Sequence, residues 1–299
     1  MSFSVLIFTV CIKSMLLYEK ITSEEERLKS LSGLVETYKT IAITTSRRIR
    51  ASVLENRAFH LGLNHWFQGI KRAYAQEISK KGGENKMSFL KRNNKMIFLL
   101  LSANTGLYGD ILERIFDQFS KEFLKTNPRP DIAISGKMGI RFFEENFPGL
   151  HFSYIDLPDQ AVPHERLREI TEFLHHYERV VVFHGRFKNI IMQEPTTSNI
   201  TGDMLLSDTP VPTVRFLFEP SIEEVARFFE TEIFASLFEQ SCNESRLAKV
   251  TSRMLFLDRA DQNIGIESHN LFLMKNYMHH QNENKKQANT MLAVVNSRS

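Results

Sequence analysis

Two glycine turns, a few histidines and two cysteines are the residues of this chain whose types and spacing could do chemistry. The first turn, Thr105-Gly106-Leu107-Tyr108-Gly109, follows an apolar run at 96–102 (MIFLLLS), where a nucleotide-binding sheet cradles phosphate. The dinucleotide fingerprint needs three glycines there, and Gly106 and Gly109 supply only G-x-x-G. The second turn, Gly136-Lys137, would be a P-loop with glycine at 131 and Ser or Thr at 138, but Asp131 and Met138 stand there. Gly106, Gly109, Gly136 and Gly139 therefore read as glycines that form turns. His164-Glu165 runs into Arg-Leu-Arg, without the second histidine of a zinc-binding helix. His175-His176 and His279-His280 are adjacent pairs, and neighbouring helical positions do not face each other. No G-x-S-x-G elbow occurs, and Cys11 and Cys242 lack a histidine context. His184 ends a predicted strand, a suitable place for a catalytic group, but alone it reads as a packing or hydrogen-bonding residue. The expectation is no catalytic residue, no metal and no cofactor.

The elements that carry these residues follow from proline and periodicity. All nine prolines lie between Pro128 and Pro220, and residues 221–299 hold one glycine, Gly265. Proline breaks helix interiors, so the chain reads as helix, mixed middle, helix. From Leu28 a 3–4 spacing runs through Val35, Ala42, Ile49, Phe59, Trp66 and Ile70 to Ala73, with eleven of fourteen positions apolar. That is a coiled-coil seam, weakened at Ser52 and Asn56. A continuous helix over it would span roughly 70 Å. Val250, Leu257, Ile264, Leu271 and Met278 recur every seven residues. Asp261, Ser268 and Lys275 are polar, so the stripe is narrow enough for one partner helix. The two segments are expected to pair antiparallel over 23–78 and 221–295, with 28–49 near the last third of the C-terminal helix. The alternative is two amphipathic helices lying on a globular core.

Strand-like runs at 96–102, 131–135, 151–155, 180–184 and 214–218 alternate with helical runs at 111–123, 137–147 and 165–177. Such alternation implies a mainly parallel sheet covered on both faces. The fold class is α/β: a Rossmann-like three-layer domain inserted between long N- and C-terminal helices that form an antiparallel coiled coil. The divisions are an N-terminal extension at 1–22, a coiled-coil helix and basic linker at 23–95, the α/β domain at 96–220, and C-terminal coiled-coil helices at 221–299.

Composition excludes several classes. The net charge of +3 does not by itself indicate a nucleic-acid binder, and two cysteines give no disulfide framework, as in a reducing compartment. The apolar run at 3–12 ends at Lys13, short of the roughly 18–20 residues that cross a bilayer. It also lacks the positive region and cleavage site of a secretory signal. It reads as a short extra helix or as residues upstream of a start at Met15. Charge is uneven: thirteen basic against four acidic residues fall between Glu36 and Lys95. A basic coil is either a solvated face or one that runs against an acidic surface. The aromatic interleaving of a single-strand nucleic-acid groove is missing around Arg47, Arg48 and Arg50.

Ser102-Ala103-Asn104-Thr105-Gly106-Leu107-Tyr108-Gly109 resembles the "SDRGLCGG" turn of the F-type ATP synthase gamma subunit family. Ile134 to Gly139 resembles that family's "GxKG" segment, and Phe187-Lys188-Asn189 with Gln193 and Pro195 its "F-x-N/S…Q-x-P" run. Phe218-Glu219-Pro220-Ser221 resembles the opening of its C-terminal helices, and Ala248 to Ala260, with Arg253-Met254, its "A-A-R-M" helix. The resemblance covers roughly 24–299, in order. The family's N-terminal run is only loosely matched at Thr37 to Thr45. Its last signature is replaced by Ala288 to Ser297, without the acidic residues and the terminal glycine.

The resemblance implies a non-catalytic central rotor shaft in a proton- or sodium-translocating complex. Its partners would be the alpha and beta subunits, the epsilon subunit and the c-subunit ring. It also implies a peripheral place on the cytoplasmic face of a bacterial membrane. Lys39, Arg47, Arg48, Arg50, Lys71 and Arg72 would then be partner contacts, facing acidic loops of the beta subunits. The competing readings are a Rossmann-like enzyme with helical dimerisation extensions and a basic coiled-coil nucleic-acid adaptor.

Overall fold

Runs of Ile, Leu, Val and Phe with no polar interruption suit strands buried on both faces, and they form the middle of the sheet. The computed structural model describes residues 2–81, 92–201, 219 and 221–296. The side chains of 2–15, 57, 60, 61, 63–69, 71–81, 222, 223, 226, 292, 293, 295 and 296 are outside that description. The elements are α1 (Ser2–Lys81), β1 (Met96–Leu101), α2 (Ile111–Lys125), β2 (Asp131–Ser135), α3 (Lys137–Asn146), β3 (Ser153–Ile155), α4 (His164–Leu174), β4 (Arg179–Phe187), β5 (Gln193–Asn199) and α5 (Ile222–Asn296). The chain divides into two compact units, Met1–Ile41 with Phe256–Ser299, and Ala42–Leu255.

In the unit Ala42–Leu255 the sheet order is β3-β2-β1-β4-β5. Strands β1 to β4 pair in parallel, with Leu99 opposite both Ala133 and Val182. One face packs Phe98, Leu100, Ile132, Ile134 and Phe183 against Ile111, Ile115, Phe119 and Phe143 of α2 and α3. The other packs Ile97, Leu99, Val180 and Val182 against Leu167, Ile170 and Leu174 of α4 and Phe234 and Phe238 of α5. This is the expected three-layer architecture. The guanidinium of Arg92 pins the chain entering β1, donating to the Glu178 and Thr201 carbonyls at 3.2 and 3.1 Å and to Glu230 at 2.7 Å.

One strand departs from expectation. β5 is antiparallel to β4, with Pro195 opposite Gly185. Its sequence, QEPTTSN, carries a proline and no apolar alternation, so it has no strand signature. It forms because it lies at the sheet edge, where proline's missing N–H breaks no ladder bond. The strand expected at 214–218 lies outside the described residues.

In the unit Met1–Ile41 with Phe256–Ser299, Leu28 and Val35 of α1 pack with Leu257, Ala260 and Ile264 of α5. Glu25 accepts a hydrogen bond from Lys275 at 2.6 Å, and Lys39 lies 2.5 Å from Asp258 and 3.3 Å from Asp261. Numbers rise along one helix as they fall along the other, so the pair is antiparallel. Two details correct the sequence reading. Residues 28–49 meet the middle of α5: Leu28 and Val35 pack with Leu257 and Ile264, and Ala42 and Ile49 with Leu247 and Val250. Lys275, in the last third of α5, is instead met by Glu25 and Tyr18, ahead of Leu28. The seam is also narrower than its apolar residues suggested. Val35, Ala42 and Ile49 are buried, whereas Leu31, Tyr38 and Phe59 are exposed. A single facing helix covers one stripe and leaves the flanking apolar positions open.

Candidate functional site

In an open α/β sheet a ligand binds beyond the carboxyl ends of the strands, where the strand order reverses. Here that point lies between β1 and β4, under the loop 102–110. The loop turns through left-handed backbone at Leu107 (φ 66°) and Gly109 (φ 63°). Its backbone N–H groups at Asn104 and Thr105 point as phosphate donors would, but they are already used. Both donate to the Asp159 carboxylate, at 2.9 and 3.1 Å. The Thr105 hydroxyl donates to the same carboxylate at 2.9 Å and the Tyr108 phenol at 3.3 Å. Burial raises the Tyr108 phenol above its ordinary pKa, which keeps it protonated as a donor. Asp159 thus takes the place that a bound anion would need.

Helix α5 closes the same crevice from the other side. Arg253 lies 3.9 Å over the Tyr108 ring and donates to Thr105 Oγ1 at 3.0 Å and the Gly106 carbonyl at 2.8 Å. Ser252 Oγ donates to the Tyr108 carbonyl and Lys249 Nζ to the Ser102 carbonyl, both at 2.6 Å. The crevice is a joint that ties a long helix to the sheet ends. The turn glycines serve it unequally. Gly136 (φ 86°) lets the chain pass against Ala103, and a Cβ at Gly106 would meet nothing. Gly139 sits inside α3, not in a turn; a Cβ there would lie 2.7 Å from Ser102 Cβ, so close packing explains it.

Removing the carboxylate in Asp159→Ala leaves two backbone donors, the Thr105 hydroxyl and the Tyr108 phenol without that acceptor. Part of that loss is made good by water, because the site is half-exposed, and the expected cost is about 2 kcal/mol. Hydrogen exchange at the Asn104 and Thr105 amides should accelerate; unchanged exchange there would contradict the anchoring role.

His184 is buried, with Nδ1 donating to the Gly185 carbonyl (3.1 Å) and Nε2 paired with Ser198 Oγ (2.8 Å). Desolvation lowers its pKa, so the ring is neutral; Nε2 ties β4 to β5 through Ser198, while Nδ1 bonds within β4. The His279 and His280 rings stand 6.2 Å apart on α5, and no cluster of potential metal ligands occurs among the described residues.

The basic residues singled out from the sequence do not form one cluster. Lys39 is half-buried between Asp258 and Asp261, and its hydrogen bond to Asp258 raises its pKa. Arg47, Arg48 and Arg50 are exposed, with Arg50 5.8 Å from the Phe187 ring centre. Lys71 and Arg72 lie on α1, with side chains outside the described residues. Sequence reasoning missed Asp159, and it assigned no role to Lys249 or Arg253. The available signals were a Pro158-Asp159 turn and an Arg253-Met254 pair, neither of which says what it touches.

Comparison with known proteins agrees with this architecture. The family model described as ATP synthase matches residues 18–280. The ATP synthase gamma chain of Desulforamulus reducens is 24% identical over 253 residues, covering 79% of this chain and 83% of that one. That of Desulforudis audaxviator is 21% identical over 262 residues, covering 80% and 84%. Among solved structures, the central stalk and c-ring of the Tetrahymena thermophila mitochondrial ATP synthase aligns with TM-score 0.58 at 19% identity, over 76% of this chain and 99% of that one, a likeness of fold. The matched span contains the sheet, the joint and most of both long helices, and the chain belongs to the gamma-subunit family of the F-type ATP synthases.

Proposed function

We propose that this chain is the shaft that couples rotation of an ion-driven c-subunit ring to nucleotide exchange in a ring of alpha and beta subunits, with protons or sodium as the coupling ion. The single observation that carries this is the joint. Asp159, Arg253, Ser252 and Lys249 fill the position where a Rossmann-like enzyme would bind its nucleotide, and they use it to fasten α5 to the sheet. A firmly held helix transmits torque, and differential contacts of its faces with each beta subunit would shift that subunit's nucleotide affinity. The division at 96–220 into an α/β body and at 23–95 and 221–299 into shaft helices belongs to the same reading. So does a peripheral place on the cytoplasmic face of a bacterial membrane, with the epsilon subunit as a further partner. No helix among the described residues is long and apolar enough to cross a membrane, which agrees with attachment through the complex.

On this reading Arg47, Arg48 and Arg50 form a cuff facing acidic loops of the beta subunits, with Lys71 and Arg72 added further along α1, whereas Lys39 is already paired with Asp258 and Asp261 within the chain. At about 100° per residue the three arginines spread charge through a wide arc of α1. Each exposed pair contributes about 0–1 kcal/mol, so single changes should hardly matter. The triple change to alanine should weaken association with an alpha–beta ring about tenfold at low salt, with the difference vanishing at high salt. The melting temperature of the chain itself should barely move. Equal affinity of wild type and triple variant at low salt would remove the cuff. Calorimetry with ATP or NAD should show no binding tighter than about millimolar; a micromolar constant would favour an enzyme.

A further inference from the structure

Beside the joint, on the sheet face covered by α4 and α5, lies a half-open cavity of about 30 Å³ lined by Ser135, Asp159, Gln160, Ser245, Arg246 and Lys249, among others. That is room for about two water-sized groups. Its open side is marked by the exposed Gln160. Two features make it a built site. Ser245 is 1% exposed, and its hydroxyl has no hydrogen-bond partner. Arg246 Nε is likewise buried and without a partner. A buried polar atom with nothing to bond costs stability, so native structures rarely leave one without a reason. Lys249 is 8% exposed, and the Ser102 carbonyl takes one of its three protons.

The charge around the cavity is positive. Lys249 and Arg246 line it, and Arg253 stands one helical turn beyond. The facing carboxylate is Asp159, whose oxygens already accept from Asn104, Thr105 and Tyr108. Burial lowers the pKa of both Lys249 and Arg246; Asp159 opposes the shift at Lys249 while Arg246 and Arg253 add to it, and at Arg246 the added repulsion comes from Arg48. Water would satisfy the Ser245 hydroxyl but would leave the two cations with the single negative charge of Asp159 to balance them. An anion would do both: Ser245 and Arg246 would donate to it, and its charge would relieve the cations.

We propose that this cavity binds a small inorganic oxyanion of the phosphate or sulfate class, held by Lys249, Ser245 and Arg246 where α5 crosses the ends of β1 and β2. Two oxygens would sit inside and the rest at the mouth near Gln160. Occupancy would stiffen the attachment of α5 to the sheet beside the Asp159–Arg253 clamp.

The test is thermal unfolding of the full chain in about 20 mM inorganic phosphate against sodium chloride of matched ionic strength. With free ligand roughly twentyfold above the dissociation constant, phosphate should raise Tm by about 4 °C over chloride. Lys249→Met should abolish the shift, and Ser245→Ala should weaken the apparent affinity about tenfold. Broadening of the phosphorus NMR line by wild type, and not by Lys249→Met, would give the same answer without unfolding. If Lys249→Met does not fold, Ser245→Ala alone decides, because it removes only a hydroxyl. An equal shift in wild type and Ser245→Ala, no shift beyond the chloride control, or a crystal structure in phosphate showing two waters in the cavity would each overturn the proposal.

Discussion

Gly136→Ala should destabilise the chain by about 5 kcal/mol. The residue sits at φ 86° and ψ 137°, a region that L side chains avoid at a cost of about 1–3 kcal/mol. The added Cβ would also lie 2.5 Å from the Ala103 nitrogen and 2.7 Å from its carbonyl carbon and oxygen. Those are main-chain atoms, so no rotamer change relieves the clash. Ala103 cannot retreat easily, because its carbonyl accepts from Met138 N at 2.9 Å while Ser102 N donates to Ser135 O at 3.0 Å. Overpacking against fixed backbone adds about 3 kcal/mol. Domain stabilities run to about 5–15 kcal/mol, so much of the variant should be unfolded. The denaturation midpoint in urea checks this, and a loss below about 1 kcal/mol would mean that the 102–110 loop can move aside.

Phe119→Ala should cost about 4 kcal/mol. Phe119 is 0% exposed, and its ring centre lies 5.3 Å from that of Phe183, 5.9 Å from Phe123, 6.0 Å from Phe116, 6.2 Å from Phe143 and 6.3 Å from Phe98. Deleting it empties the centre of an aromatic cluster drawn from α2, α3 and the sheet. Five large rings cannot collapse together into the gap, so the cavity remains. Near-UV circular dichroism during urea unfolding should show an earlier midpoint with similar cooperativity. Phe119→Leu, which keeps most of the volume, should lose about 1.5 kcal/mol. Equal losses for alanine and leucine would show that the ring's shape, not the filled volume, sets the cost.

Parts of this structure were legible because one local signal determined them. β1, β2 and β4 read as strands, since strands covered on both faces must be apolar throughout. The two long helices read from their seven-residue spacing, and the dead phosphate motifs from Asp131 and Met138. Where two distant segments decide the outcome, the sequence was silent. β5 is recruited by the free edge of β4, not by its own polar residues. A heptad stripe defines which face of a helix is covered but not how far along its partner it sits. The stripe alone therefore does not place Leu28 against the middle of α5, where it packs. The clamp was hidden for the same reason. Asp159 follows β3 and Arg253 lies on α5, and only the folded sheet brings both to Thr105.

The most direct measurement of the central claim is single-molecule rotation. The chain would be assembled with the alpha and beta subunits of its own organism, the ring fixed to a surface, and a bead attached to the exposed middle of the chain. In ATP the bead should turn in one direction in discrete steps, and Asp159→Ala with Arg253→Ala should lower the torque it sustains. A chain that assembles with the ring while ATP is hydrolysed and the bead only diffuses would contradict the shaft account.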